Sequence, residues 1–339
     1  MDRNPTIVFV EHEKAVIEDR QVPVPAENEL LIRTKCTLIS TGTELTILSG
    51  KYPEGSHWAN YGKLPFLPGY DNVGEVVDVG RNVSADWIGK KVATCANHAK
   101  YVTFDCDSTR LIQRDIPDEE AVFLSISDIV MNGVRRSGVV WGDAVAVYGL
   151  GLLGQFTVQI CRLCGAKPVF GIDVAESRIG CLPKNASITP INPARQDVKS
   201  VVETVTRGRM ADVVFEVTGD PDLILKEFDV LRRQGKFVVL SSPRGKTLFD
   251  FHDLCNAPSY NIIGVHCGSH PSHATLDNPW TNMRHSELFF DLVADGDLAV
   301  KPLISHREHF SKAPQMYDML LRDRSGAMGV VLDWTAETL

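Results

Sequence analysis

The sequence predicts an α/β protein of two domains, one β-rich and one built on a doubly wound parallel sheet. Three observations predict it. Residues 1–110 read as short alternating strands broken by Gly, Pro and Asn. From residue 142 the pattern changes to strand, helix, strand, helix, which implies a parallel sheet covered on both faces. A chain of 339 residues is also long enough for two cores of ordinary size.

The strands of the first part are "TIVFV", "ELLIRTKCTLI", "GEVVDVG", "KKVATCA" and "KYVTFD". The segment "DEEAVFLSISDIVMNGVRRSG", residues 118–138, reads as a helix, with acids at its start, arginines near its end and a closing Gly. "DAVAVYG" is then a strand, "LLGQFTVQICRLCGA" a helix and "KPVFGIDV" a strand. "ADVVFEVTG" is a strand, "PDLILKEFDVLRRQG" a helix, and "KFVVLSS" and "YNIIGVH" are strands. After about residue 268 a polar loop leads to a helix, "SELFFDLVADG". "LAVKPLISHREHF", another helix and the strand "GVVLDW" follow.

Composition narrows the function classes. The chain is 44% hydrophobic and 23% charged, as soluble globular proteins are. A net charge of −8 without long runs of one sign argues against nucleic acid and anionic membranes as partners. No apolar run reaches the roughly 18 residues of a membrane span. The N-terminal "MDRNPTIVFVEHEK" reads as a strand rather than a signal peptide, so a cytoplasmic protein is expected. Eight scattered cysteines point to free thiols, not to a disulfide framework. Cys161 and Cys164 share a helix face, which favours packing over redox chemistry.

"VAVYGLGLLGQ" contains Gly149-x-Gly151-x-x-Gly154 between an apolar strand and a helix. Asp173 ends the next strand, nineteen positions after Gly154. In that setting the motif is a dinucleotide fingerprint and the domain a Rossmann fold. Gly149 allows the tight turn, Gly151 lets the backbone approach a pyrophosphate, and Gly154 lets helix and strand pack closely. The phosphates then face the free N–H groups of Leu152 and Leu153 at the helix start. Asp173 can accept bonds from the adenosine ribose and repel a 2′-phosphate, so NAD is expected over NADP. Arg178 either stacks on the adenine or stands in solvent.

"LPFLPGYDNVGEVVDVGRNV" resembles the Pro-Gly-(His)-Glu-x-x-Gly-x-Val-x-x-Val-Gly stretch of the medium-chain dehydrogenase/reductase superfamily, the zinc-type alcohol dehydrogenase-like proteins. "DVVFEVTG" and "GDLAVKPLISHRE" are similar to that family in place and wording. The resemblance covers nearly the whole chain. It implies a GroES-like catalytic domain at 1–118 and 269–339 and a Rossmann domain at 119–268, with the active site in the cleft between them. It adds Thr218, Ser241 and His266 to the cofactor-binding set, and it implies a homodimer. The "ISTGTE" wording resembles a branch of the family that lacks the zinc ligands.

The departures from the family pattern bear on metal. Where zinc-bearing relatives place a Cys, a His and a third ligand, this chain aligns Thr41, Tyr70 and Ser125. Hydroxyls are poor zinc ligands, so no catalytic zinc is expected. The four-cysteine structural lobe is also missing, since only Cys95 and Cys106 fall in that region. His266, Cys267, His270 and His273 in "HCGSHPSH" read more plainly as a substrate-facing or surface loop than as a metal site.

Hydride transfer without zinc needs another group at the reacting oxygen. Thr43 matches the relay hydroxyl of zinc relatives, and Tyr70 puts a phenol at a vacated ligand position. Thr41, Glu44, Asp71 and His57 complete the candidate catalytic set. Each has a bland alternative: Thr43 caps a turn, Tyr70 fills the old metal cavity, His57 is exposed. The leading expectation is a zinc-independent, NAD-dependent oxidoreductase acting on a secondary alcohol or ketone of a polar small molecule, such as a polyol, cyclitol or sugar derivative. The polarity follows from the His-, Asn- and Ser-rich segments of the presumed cleft. The rivals are a zinc-free ene or quinone reductase and a non-enzymatic dinucleotide-binding protein.

Overall fold

The structure, a computed structural model, describes residues 3–335. The chain divides into two compact units, one made of residues up to 125 and from 286 onward, the other of 126–285. The divisions thus fall later than 118 and 268.

The first unit opens with β1 (Arg3–Glu11), β2 (Lys14–Gln21), β3 (Glu29–Ile39), α1 (Thr43–Ser49) and α2 (His57–Tyr61). It continues through β4 (Asn72–Val79), β5 (Lys91–Thr94), β6 (Tyr101–Asp105), β7 (Arg110–Leu111) and α3 (Asp118–Ala121). The helix expected over 118–138 is broken: α3 ends at Ala121 and α4 spans Leu124–Ser137. Phe123 is fully buried in the gap and presses on Gly329, which has no side chain to oppose it.

In the second unit come β8 (Val145–Tyr148), α5 (Leu152–Leu163), β9 (Val169–Ile172), α6 (Glu176–Ile179), β10 (Ile188–Ile191) and α7 (Val198–Thr206). Then follow β11 (Ala211–Glu216), α8 (Ile224–Glu227), β12 (Leu231–Val239) and β13 (Asn261–Gly264). Helix α9 (Asn282–Ala294) leads back to the first unit, which closes with β14 (Ile304–His309), α10 (Ala313–Arg322) and β15 (Gly329–Asp333).

The second unit's sheet is parallel with the order β10-β9-β8-β11-β12-β13. Read from β8, that is the 3-2-1-4-5-6 order of a dinucleotide fold, whose reversal point lies between β8 and β11. Ala146, Phe170, Val214 and Phe237 pack in its core. In the first unit the principal sheet runs β14-β15-β3-β4-β5-β7, with β6 also on β3. β3 occupies the 29–39 stretch read from the sequence, because its apolar run is long and all three of its partners, β15, β4 and β6, pair with it antiparallel.

One expected helix does not form. Of 221–235 only Ile224–Glu227 is α-helical, and a 3-10 turn at Phe228–Val230 hands the chain to β12. Leu231 pairs with Ala211, and Lys236 with Val213, so several residues of β12 bulge where β11 has one. Strand pairing overrides the helical spacing of Ile224, Phe228 and Leu231. The Cys161–Cys164 pair is split as well: Cys161 is buried in α5, whereas Cys164 caps its end and is exposed.

Candidate active site

In the first unit the motif "STGTE" turns the chain out of β3 and into α1. The Ser40 N–H donates to Glu44 Oε1 (3.1 Å), and the Glu44 N–H returns to the Ser40 carbonyl (3.1 Å). Glu44 is buried, and its other oxygen accepts from the Tyr317 hydroxyl (2.5 Å) and lies 3.2 Å from His98 Nε2. The carboxylate thus ties the start of α1 to α10 and to the loop before β6. Burial pushes the Tyr317 hydroxyl well above its usual pKa, with the Glu44 charge adding to the effect. Both Glu44 oxygens are thus engaged by the fold itself.

Tyr70 sits just before β4; its hydroxyl is hydrogen-bonded to Ser40 Oγ, and the Thr43 side chain stands close enough to pull its pKa down. Three hydroxyls from two motif halves therefore converge. Burial raises the phenol's pKa, and the neighbouring Asp71 charge raises it further. The Tyr70 hydroxyl is a proton-bearing donor at neutral pH. Asp71 is buried and accepts from the Ser125 N–H at the start of α4 (3.1 Å), while Ser125 Oγ donates to the Tyr70 carbonyl (2.7 Å). Asp71 and Ser125 fix the backbone that carries the phenol. Thr41 is held through its carbonyl, which accepts from Arg324 (3.0 Å). His57 stands on the exposed first turn of α2, stacked on Tyr61 with centroids 6.4 Å apart. Among the described residues no hydrogen bond or ring contact joins it to Tyr70 or Thr43.

In the second unit the glycine loop fits a dinucleotide. Gly149 has φ +91°, in the region that favours glycine, and a Cβ on Gly154 would lie 1.8 Å from the Gly149 carbonyl oxygen. A Cβ on Gly151 would meet nothing within 4 Å, so space is open on the side where the phosphates belong. Gly151 caps the 12-residue α5, whose first-turn N–H groups, including those of Leu152 and Leu153, lack helical partners. Asp173 is buried with one oxygen on the Leu150 N–H (2.8 Å) and the other on the Ala175 N–H (2.8 Å). Arg178 reaches it at 3.5 Å. The carboxylate thus braces the glycine loop itself, in addition to any ribose contact.

Thr218 and Ser241 are joined by a residue that motif reading missed. Glu216 is fully buried at the end of β11. Its Oε1 accepts from the Thr218 N–H (2.7 Å), the Thr218 hydroxyl (2.7 Å) and the Gly219 N–H (2.8 Å), and its Oε2 accepts from the Ser241 hydroxyl. Ser40 and Tyr317 were missed likewise. Ser40 and Glu216 lie inside stretches singled out as motifs, so their chemistry was visible there; Tyr317 gave no such signal. His266 is exposed, its carbonyl accepting from Ser269. Among the described residues no group of three or more His, Cys, Asp or Glu is arranged to hold a metal, and no helix is long and apolar enough to cross a membrane.

Comparison with known proteins agrees with this architecture. Residues 26–117 match the alcohol dehydrogenase GroES-like domain family, and residues 153–281 match the zinc-binding dehydrogenase family. The L-threonine 3-dehydrogenase of Caldanaerobacter subterraneus subsp. tengcongensis is 28% identical, over 96% of this chain and 98% of its own. Galactitol-1-phosphate dehydrogenase from Escherichia coli superposes with a TM-score of 0.83 at 16% identity, over 97% of this chain and 99% of that one. A putative zinc-binding dehydrogenase from Sinorhizobium meliloti 1021, solved bound to NADP, gives 0.80 at 20% identity, over 98% and 100%. The chain belongs to the medium-chain dehydrogenase/reductase superfamily.

Proposed function

We propose that this chain is a zinc-independent, NAD-dependent oxidoreductase that moves hydride between nicotinamide and a secondary alcohol or ketone of a polar substrate. Its class is that of NAD(P)-dependent dehydrogenases acting on CH–OH groups. One observation carries the finer reading: the Tyr70 hydroxyl meets Ser40 and Thr43 where zinc-bearing relatives place a ligand.

The residues at the family's zinc positions do not suit zinc. Thr41, Tyr70 and Ser125 offer hydroxyls, burial keeps the Tyr70 phenol protonated, and Ser125 Oγ is turned to a carbonyl. Zinc wants thiolate, imidazole or carboxylate. No step is therefore routed through a metal.

A bound nicotinamide dinucleotide supplies the hydride acceptor or donor. Gly149, Gly151 and the N–H groups of Leu152 and Leu153 would hold its phosphates, and Asp173 its ribose. Thr218, Ser241 and His266 would attend the nicotinamide end, with Glu216 fixing the first two. Asp173 supports NAD over NADP, because its charge opposes a 2′-phosphate. In the other unit, the Tyr70 hydroxyl donates to the reacting oxygen while its own oxygen receives from Ser40 and Thr43. As negative charge develops on a carbonyl oxygen, that donor strengthens its bond. Glu44 and Asp71 keep the three hydroxyls in register. Relatives named for threonine, butanediol and galactitol phosphate support a hydroxylated, polar substrate.

Tyr70→Phe tests the proposal, because it keeps the ring and removes one donor. kcat should fall roughly 100- to 1,000-fold, with NAD affinity and Tm nearly unchanged. Wild-type turnover would make Tyr70 a cavity filler. The substrate class is tested by screening polyols, cyclitols and sugar derivatives for NAD reduction, with enones as the contrasting set; turnover of enones alone would favour the ene reductase reading.

A further inference from the structure

Within the second unit lies a cluster of cationic and imidazole groups whose arginines, Arg135 and Arg284, form no ion pair among the described residues. Helix α4 carries Arg135, and α9 carries Arg284 and His285 in its first turn, shortly after Trp280. The Arg135 guanidinium carbon lies 3.0 Å from the centroid of the Trp280 ring, and that of Arg284 lies 3.8 Å from the same centroid. The two carbons can therefore be no further apart than the sum of those distances. His285 also stacks on the indole, with centroids 5.4 Å apart and planes 20° apart.

The protons in this cluster are fixed by its bonds. Arg135 Nε donates to His285 Nε2 (2.9 Å), since a guanidinium cannot accept. His285 Nδ1 therefore carries the ring proton and donates to His270 Nε2 (3.1 Å), and His270 Nδ1 donates to the Cys267 carbonyl (2.9 Å). His285 is neutral: burial, then its neighbours His270, Arg135 and Arg284, bring it down to about 3. Burial also lowers Arg135 to about 10, with the Cys164 thiol opposing that shift and Arg284 adding to it. No carboxylate appears among the groups acting on Arg135 or His285, and neither Arg135 nor Arg284 takes part in an ion pair found among the described residues.

Two guanidiniums gathered on one indole repel each other, and attraction to the ring offsets only part of that. In a chain of net charge −8 such a site favours one class of guest. We propose that Arg135 and Arg284, mounted on Trp280, form a binding site for a small oxyanion, the phosphoryl or carboxylate group of a soluble metabolite. Arg284 is exposed and presents its planar fork to solvent, while the His285–His270 chain holds Arg135 by its Nε and leaves its two terminal nitrogens for the guest. The same chain ends on the Cys267 carbonyl, so the guest would also steady the loop that begins at His266.

The test titrates the intact protein with inorganic phosphate at constant ionic strength, reading tryptophan fluorescence and calorimetric heat. Saturable binding should appear at millimolar phosphate or below, with chloride inert, and Trp280→Phe should remove the fluorescence change. Arg284→Gln should weaken binding at least tenfold and Arg284→Lys less, with NAD affinity and Tm unchanged, because Arg284 is exposed. Absence of saturable binding up to tens of millimolar, or full affinity in Arg284→Gln, would overturn the proposal. Sedimentation distinguishes the source of the anion: if Arg284→Gln dissociates an oligomer and phosphate never binds, the guest is an acidic side chain of a second copy and the metabolite site is wrong.

Discussion

Each unit sets a buried glutamate behind its candidate site, and the two are satisfied in the same way. Glu44 accepts from the Ser40 N–H, the Tyr317 hydroxyl and the His98 side, and Glu216 accepts from Thr218, Gly219 and Ser241. A third buried glutamate, Glu227, is as deeply enclosed but has neither oxygen hydrogen-bonded. The contrast shows what a buried carboxylate costs and what it can do. With three or four donors it acts as a clamp that orders a loop, and without them burial drives it to its neutral form.

The largest effect is expected where a clamp serves ligand binding. Glu216→Ala frees the loop of Thr218 and Ser241, and each lost bond to a charged acceptor is worth about 1.5–3 kcal/mol. NAD affinity should fall by roughly 100-fold by calorimetry. An unchanged affinity would show that the Thr218 loop does not attend the cofactor. Glu44→Ala removes the matching clamp in the other unit and strands three donors. It should cost about 3 kcal/mol of stability by urea unfolding and lower kcat, while the protein that remains folded binds NAD normally. If both variants lost NAD affinity equally, the division of labour between the two clamps would be wrong.

Glu227 should respond in the opposite sense. Burial first, then the charges of Glu216 and Asp220, raise its carboxyl to about 10. Its folded pKa thus lies above its unfolded one, the reverse of the usual carboxylate. The folded state holds a proton that the unfolded chain releases, so this residue's contribution weakens as pH rises from about 4.5 toward 10. Glu227→Gln removes that dependence. The variant should gain Tm over the parent by several degrees at pH 8 and by little at pH 5, a difference on the order of 1 kcal/mol per pH unit at most. Equal shifts at both pH values would mean that Glu227 is ionised in the fold.

These glutamates also mark how far the sequence could be read. The glycine loop was legible because its constraints are local: three glycines, the strand before them, the helix after, and Asp173 at the next strand's end. The β3 strand was legible for the same reason. The partners of the site residues were not. Tyr70 meets Ser40 only because the chain returns through β4, Glu44 meets Tyr317 from 273 positions away, and Glu216 meets Ser241 through the adjacent strand. Local pattern also misread 221–235, where Leu231–Gly235 joins β12 because sheet pairing with β11 outweighs helical spacing. Hydrogen bonds that cross the fold leave no period in the sequence.

The smallest effect concerns the choice between dinucleotides. Asp173 braces Leu150 and Ala175, and in the proposed function its charge has a second duty, to oppose a 2′-phosphate. Arg178, 3.5 Å away, partly offsets that charge. Asp173→Asn keeps one acceptor for the loop and removes the charge, so it separates the duties better than alanine. The preference for NAD over NADP should shrink by about tenfold, roughly 1.4 kcal/mol, mainly through tighter NADP. Arg178→Gln should act in reverse and widen the preference, because the carboxylate is then unopposed. Titrating both nucleotides against both variants decides the matter. If Arg178→Gln weakens NADP and NAD alike, the arginine grips the adenosine itself. If Asp173→Asn leaves the ratio unchanged, the carboxylate is a loop brace and discrimination lies in other residues.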